Sequence, residues 1–262
     1  MNSSQIEEWH RDDSIAPCVC RFGTSAVDKV CAFLPQGAQG FLGKSDGRDK
    51  LLATIQYAAM FVSAGSPGHA KNVQTTVATA RKAFRIMKPL ESLAPIALNP
   101  SLNPKKPVPI EILNKLKNIL MAVYFGGDNI VWLKQAGLIS NKKVAERAQK
   151  ASLYGWFGGS LCGIVSEIYE IQSMTERKAG ETAEEYAARQ AEIHSELNRR
   201  TIVLVHAIVQ ALLAVGLLGL RPWKPRTVGF FGIAASAINC YMLYPAVQRD
   251  PKSKQIGSKK GA

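Results

Sequence analysis

The sequence has little that is typical of an enzyme or a secreted protein. Five cysteines are scattered over 262 residues, an odd number whose spacing predicts no disulfide framework. The four histidines share no metal-ligand spacing, and we find no nucleophile elbow, zinc motif or pair of carboxylates. The N-terminal "MNSSQIEEWHRDD" has no apolar core, so we expect no secretory signal peptide. We therefore predict a protein without catalytic residues, metal or cofactor.

One glycine-rich stretch imitates a nucleotide site. "AQGFLGKS" (38–45) fits a relaxed phosphate-loop pattern, with Ala38 in place of the first glycine. A phosphate loop follows a buried strand and opens directly into a helix whose N-terminus holds the phosphate. Here the preceding apolar run ends in Pro35, and Gly47 interrupts the start of the next helix. The dense glycines predict a break in helical structure, and we expect no nucleotide binding.

Acidic residues are scarce relative to basic ones. Lys and Arg number 33 against 20 Asp and Glu, which gives a formal net charge of +13. Such an excess indicates an anionic partner: a nucleic acid, an acidic protein or an anionic lipid surface. The last third of the chain contains two long uncharged stretches separated by a short basic loop. This pattern favours an anionic phospholipid membrane and argues against nucleic-acid binding.

The two uncharged stretches, 201–220 and 228–247, are predicted to cross a bilayer as a helical hairpin. Each has 20 residues, the length that a hydrocarbon core requires. Twelve Ile, Val and Leu residues in 201–220 contribute roughly −4 to −7 kcal/mol to insertion. Basic residues at every end argue against the buried hairpin of a soluble protein. The loop 221–227 is less basic than the two outer flanks, which predicts cytosolic flanks and termini.

No alternating pattern of period two persists, so we predict an all-α membrane protein with cytosolic amphipathic helices and a C-terminal transmembrane hairpin. The predicted regions are a flexible extension (1–26), a cytosolic or interfacial helical region (27–150) and a membrane-associated region with a basic tail (151–262). Within the last, 151–171 is uncharged over its first part, and the sequence leaves open whether it crosses, dips into or stays outside the membrane.

Helical spacing predicts several elements before the spans. We expect helices over 27–34, 48–63 and 70–88, the second capped by Asp46, whereas five prolines predict a linker over 93–109. The apolar residues of 48–63 fall on one stripe, as in an amphipathic helix. They are Leu51, Leu52, Ile55, Ala58, Ala59 and Val62.

"YFGGDNIVWLKQAGLI" (124–139) places an acid inside an apolar run. The run 119–133 has only 15 residues, too few to span a bilayer with Asp128 at its centre. Gly126 and Gly127 are expected to loosen the helix, so that Asp128 caps the next turn. Tyr124 and Trp132 suit an interface. We predict a cytosolic or interfacial helix here.

Two features predict contacts with other surfaces. Gly155, Gly159 and Gly163 lie on one helical face and form two small-xxx-small repeats, which allow close helix packing. This face predicts either a homo-oligomer or a tight contact within one chain.

The helix 70–88 carries cations beside an apolar side and contains no acid, which predicts insertion into an anionic leaflet as a wedge. An ordinary core helix is the alternative. The predicted lipid-binding residues are Lys71, Val73, Val77, Arg81, Lys82, Phe84, Arg85, Met87 and Lys88.

Three motifs in this order resemble the peroxin-11 family of peroxisome-proliferating membrane proteins. They are "SDGRDKLLATIQYAAMF" (45–61), "ARKAFRIMKPLESL" (80–93) and the stretch 124–139. The resemblance extends over about 27–247, although residues 1–26 precede the family pattern and "PQGAQGFLGK" lengthens the gap before Gly47. It implies a multi-pass peroxisomal membrane protein that curves and elongates the organelle before fission.

The resemblance also implies partners. Family members self-associate and cooperate with fission factors and dynamin-like GTPases. The final Lys259 and Lys260 resemble a dilysine signal read by coat proteins, which requires a cytosolic C-terminus. A channel for small metabolites is the alternative function. It requires polar residues along several spans, and the spans offer only His206, Gln210 and Asn239, so we favour membrane remodelling.

Overall fold

The computed structural model describes residues 36–102, 107–177 and 180–244. All regular structure within these ranges is helical, which confirms the predicted fold class. The N-terminal extension, the predicted helix 27–34 and the dilysine pair lie outside the described residues.

The chain divides into two units, and the described part of the first is small. It comprises α1 (Gln36–Gly43) and Tyr244. The rings of Phe41 and Tyr244 lie 6.4 Å apart, and a side chain at Gly37 would meet the Tyr244 ring. The predicted break in helical structure is therefore wrong for 36–43. These residues form a helix, and Gly37 allows its close packing against Tyr244.

In the second unit, 44–243, the described residues form seven helices. They are α2 (Ser45–Ser63), α3 (His69–Ala83), α4 (Lys88–Leu98), α5 (Val108–Gln135), α6 (Lys142–Thr175), α7 (Ala183–Leu218) and α8 (Pro225–Leu243).

Local signals in the sequence set several of these boundaries. The side chain of Asn141 accepts hydrogen bonds from the backbone of Lys143 and Val144 and so caps α6. Thr182 and Glu185 form a capping box that begins α7. Gly219 ends α7 with φ of 70°, a left-handed conformation that favours glycine.

Six of these helices form a closed ring. Going around it, α2 packs on α3, α3 on α5, α5 on α6, α6 on α7, α7 on α8, and α8 returns to α2. We call this arrangement the six-helix ring, and α4 packs on the α5 member of it. The apolar core inside is small and is built around Tyr57, Tyr124, Trp156 and Leu213.

The apolar stripe of α2 points away from that core. Leu51 and Ile55 are each 42% exposed and Val62 is 68% exposed, whereas Asp49 is 3% exposed. The inner face of α2 instead carries Gly47, Asp49, Ala53 and Tyr57. The amphipathic pattern of 48–63 therefore has its apolar side on the outside of the ring.

The predicted helix 70–88 is broken, because α3 ends at Ala83 and a turn precedes α4. Side chains of other helices bind the turn: Asn129 Nδ2 donates to the carbonyl of Ile86 (2.9 Å), and Ser45 Oγ to that of Phe84 (3.4 Å). Asp46 lies inside the first turn of α2 and pairs with Lys88 (2.8 Å), so its prediction as a cap is wrong.

The predicted linker 93–109 is also partly wrong, because α4 extends to Leu98. Pro89 lies in the first turn of α4, where a missing N–H is tolerated, while Pro95 lies inside the helix. The Lys115 ammonium of α5 donates to the carbonyls of Asn99, Pro100 and Ser101 just beyond the C-terminus of α4, at 2.8 to 3.0 Å.

Among the described residues, one helix, α7, is long and apolar enough to cross a membrane. Only 17% of its most apolar 18-residue stretch is buried, whereas the core helix of a soluble protein is mostly buried. Its 36 residues span about 54 Å, which is enough to cross a hydrocarbon core of about 30 Å with its apolar half alone. The second predicted span falls mostly on α8, and 151–171 is part of α6.

Candidate functional site

A buried cluster of charges lies where α2, α3 and α5 meet. Arg85 is at its centre and donates from Nε and Nη2 to the two carboxylate oxygens of Asp49, at 3.1 and 3.2 Å. Its Nη1 donates to Asp128 Oδ2 (3.0 Å) and to Tyr124 Oη (2.6 Å). One guanidinium thus joins two carboxylates from helices that are far apart in sequence.

Arg81 completes the arrangement from the last turn of α3. Its Nε donates to Asp49 Oδ1 (3.0 Å), and its Nη1 donates to Gln56 Oε1 (2.6 Å). We call Asp49, Arg81, Arg85 and Asp128 the charge cluster; each of these four side chains is at most 8% exposed. Burial alone raises the pKa of Asp49, but Arg85, Arg81 and Lys50 outweigh it and hold that pKa below its usual range.

The three sequence motifs meet at this cluster. Asp49 comes from the first motif, Arg81 and Arg85 from the second, and Asp128 from the third. Asp128 is not the predicted cap, because α5 runs without interruption through Gly126 and Gly127. Composition and periodicity missed the roles of Asp49 and Asp128, and only the motifs containing them marked both acids.

The predicted lipid-binding residues do not lie on one surface. Arg81 and Arg85 are each 7% exposed and are engaged by carboxylates, so they do not reach lipid headgroups on the outer surface of the six-helix ring. Val73, Phe84 and Met87 are exposed, whereas Lys71, Val77, Lys82 and Lys88 are half-buried.

The exposed apolar side chains continue from the turn into α4. None of the residues of α4 is buried, and Met87, Leu90 and Leu98 are 63%, 67% and 78% exposed. We call this stretch, which also exposes Phe84, Ile86 and Leu93, the 84–98 segment. Beyond it, exposed large apolar side chains occur on α2, α5, α6, α7 and α8.

The glycine face of α6 is occupied within the chain. A Cβ at Gly155 would lie 2.7 Å from the Leu120 carbonyl oxygen, and one at Gly159 would lie 3.1 Å from Met121 Sδ. Gly163 faces Lys117 and Ala207. Of the two alternatives left open for this face, the structure has the tight contact within one chain, because α5 covers it.

A second polar group joins α6, α7 and α8 inside the ring. His206 Nε2 lies 2.7 Å from Asn239 Nδ2 and 2.8 Å from Gln210 Nε2. Gln210 Oε1 in turn accepts a hydrogen bond from Trp156 Nε1 at 3.0 Å. Trp156, Gln210 and Asn239 border a cavity of about 60 Å³ that six helices line. Within the described ranges, no group of three or more His, Cys, Asp or Glu is placed to hold a metal ion.

Comparison with known proteins decides the family. The model of the family described as Peroxisomal biogenesis factor 11 (PEX11) matches residues 38–244. The chain belongs to the PEX11 family. It is therefore a non-enzymatic peroxisomal membrane protein that acts in peroxisome biogenesis and proliferation. The resemblance inferred from the three motifs is confirmed.

Several curated plant relatives match most of the chain. Peroxisomal membrane protein 11C of Arabidopsis thaliana is 35% identical over 224 residues, which cover 82% of this chain and 93% of the relative. Peroxisomal membrane protein 11D of the same plant is 36% identical over 218 residues, covering 78% and 89%. Peroxisomal membrane protein 11-5 of Oryza sativa subsp. japonica is 35% identical over 216 residues, covering 79% and 91%. No solved structure matches this PEX11 chain.

Proposed function

We propose that this PEX11 protein curves and elongates the peroxisomal membrane by inserting the 84–98 segment into the headgroup layer, and so promotes fission. The observation that supports this most is the exposure of the apolar side chains on that segment, led by Met87, Leu90 and Leu98. Burying each such side chain contributes about 1.5–3 kcal/mol when burial is complete. A shallow wedge expands one leaflet relative to the other and bends the bilayer.

The residues assigned to lipid contact change accordingly. Val73, Phe84 and Met87 remain in the proposal because they are exposed. Lys71, Val77, Lys82 and Lys88 remain as half-buried neighbours, with Lys88 already paired to Asp46 and Glu91. Arg81 and Arg85 do not remain among these outer contacts, because both are buried in the charge cluster.

Reconstituted vesicles test the insertion. The full chain, incorporated into vesicles that contain phosphatidylserine, is expected to draw them into tubules visible by electron microscopy. Met87→Asp combined with Leu90→Asp should reduce the number of tubules severalfold, because a charge in the acyl region is unfavourable. Leu138→Asp with Val144→Asp is a control for added charge, since Leu138 and Val144 are exposed outside the segment. Equal tubulation by both double variants would exclude this segment as the wedge.

The proposed topology is multi-pass, with α7 and α8 crossing the membrane as a hairpin and both flanks in the cytosol. Support comes from the contact between α7 and α8 and from the exposed apolar window of α7. Protease added outside intact peroxisomes should digest 183–200 and a tag at the C-terminus. Protection of the C-terminal tag would contradict this topology and the coat-protein interaction proposed for Lys259 and Lys260.

Self-association and cooperation with fission factors and a dynamin-like GTPase are carried over from the family resemblance. Cross-linking of differently tagged copies tests self-association, and co-purification from peroxisomes tests the other partners. Absence of either product would remove that partner from the proposal.

A channel for small metabolites is the second candidate. The observation that favours it is the cavity of about 60 Å³ inside the six-helix ring. Such a volume holds a few water molecules, which is small for a metabolite path. Retention of small solutes by proteoliposomes containing the chain would exclude the channel.

A further inference from the structure

A cleft of about 300 Å³ lies beside the charge cluster, between α2, α3, α5, α6 and α7. One part of its wall is polar and includes Arg81, Lys82 and Gln149. Another part is apolar and includes Leu153 and Leu217. The cleft thus offers two chemically different surfaces to one ligand.

Two cationic side chains on this wall have hydrogen-bonding capacity to spare. Arg81 uses Nε for Asp49 and Nη1 for Gln56 and also hydrogen-bonds Tyr57, which leaves donors of its guanidinium for a further acceptor. Lys82 follows it on α3, and its ammonium has no hydrogen-bond partner or ion pair among the described residues. Both groups are therefore able to donate to a ligand without breaking an existing contact.

The charges around the cleft do not balance. Arg81, Lys82 and Arg85 are cationic, whereas the acids beside them are Asp49 and Asp128. One positive charge thus lacks an acid in a partly buried place. Charge pairs interact far more strongly in such a setting than in bulk water, so a bound anion would stabilise the site.

We propose that this cleft binds a phosphate group, which Arg81 and Lys82 hold with help from the Gln149 amide. A guanidinium with donors in a rigid plane matches the oxygens of a phosphate, and the neighbouring ammonium adds a second charge. The apolar wall accommodates the organic part of a phosphate ester.

The phosphate has two possible sources, a phospholipid headgroup or a soluble phosphate compound. Leu217 lies near the end of the apolar stretch 201–220, which places part of the cleft near the level of the headgroups. The inference does not depend on insertion of the 84–98 segment, because Arg81, Lys82 and Gln149 lie outside that segment.

Titration of the purified full chain in detergent tests the site with two probes, inorganic phosphate and a short-chain phosphatidic acid, at constant ionic strength. Isothermal calorimetry measures the affinity. Lys82→Met is expected to weaken binding about tenfold, the loss of one charge-assisted contact. Lys82 is the better position, because replacing Arg81 also removes a partner of Asp49. Lys150→Met is the matched control, since Lys150 is exposed on α6 next to Gln149 and does not line the cleft.

The outcomes separate the two sources. Binding of inorganic phosphate that Lys82→Met weakens and Lys150→Met does not would support a site for soluble phosphates. The same dependence seen with phosphatidic acid alone would support a headgroup site. Binding of neither probe, or binding that both variants change equally, would overturn the proposal. Circular dichroism of each variant shows that the comparison is made between folded chains.

Discussion

On the single helix α2, Asp49 lies inside the six-helix ring at 3% exposure, and Val62 lies outside it at 68% exposure. A soluble helical bundle has the opposite arrangement, with apolar side chains inside and charges in water. The difference indicates that the outer face of α2 suits contact with lipid or with another apolar surface. In lipid, apolar burial contributes little to holding helices together, and packing and hydrogen bonds replace it.

Although the charge cluster has only four side chains, it therefore contributes strongly to the stability of the fold. Asp49, Arg85 and Asp128 connect α2, the turn after α3, and α5 through hydrogen bonds of 3.0 to 3.2 Å. Charges removed from solvent in this way are tolerated because each finds a partner, and loss of one partner leaves the others unpaired. Breaking these contacts is the most direct test of what the buried charges contribute to stability.

Arg85→Met should have the largest effect. It leaves two buried carboxylates without their shared partner, and we expect a loss of about 3–5 kcal/mol in the free energy of unfolding. Unfolding of the purified chain in mixed micelles of mild and denaturing detergent measures it. Arg147→Met is the matched control, because Arg147 is exposed on α6 and has no ion pair among the described residues. Equal stability of the two variants would show that the charge cluster does not hold the ring together.

Much of the helical framework could be predicted from the sequence. Spacing of apolar residues located the helix over 48–63, and uncharged length located 201–220 within α7, the candidate span. Helical spacing reflects backbone geometry, and uncharged length reflects the free energy of transfer to lipid. Each can be recognised within a single segment of the sequence.

The candidate site was less predictable, because its contacts join residues far apart in sequence. Arg81 and Arg85 look like surface cations within 70–88, and only the structure brings Asp49 and Asp128 to them. The α4 helix was missed because it contains Pro89 and Pro95, although Pro89 occupies a position where helices accept proline. The three family motifs together contain all four members of the charge cluster, so they marked these positions where helical spacing did not.

Substitutions on the exposed face of α2 should have the smallest effect on stability. Leu51→Ser combined with Val62→Ser alters two exposed apolar side chains of α2, and in detergent the free energy of unfolding should change by less than about 1 kcal/mol. Ala53→Leu on the same helix is the contrast, because Ala53 is 2% exposed. Extra volume there should destabilise the ring by about 1–3 kcal/mol.

In detergent, Ala53→Leu should be the more damaging change. In incorporation into a membrane, the double serine variant should be the more damaging one. Hydroxyl groups on the outer face are unfavourable in lipid, so the double serine variant should incorporate less completely into vesicles, as measured by flotation. Ala53→Leu leaves the outer face unchanged, and any molecules that fold should incorporate like the parent. A double serine variant that is as unstable in detergent as Ala53→Leu would mean that the outer face packs against protein. That result would remove the reason for placing lipid around the ring, because the exposed apolar residues would then be an interface between copies or with a partner.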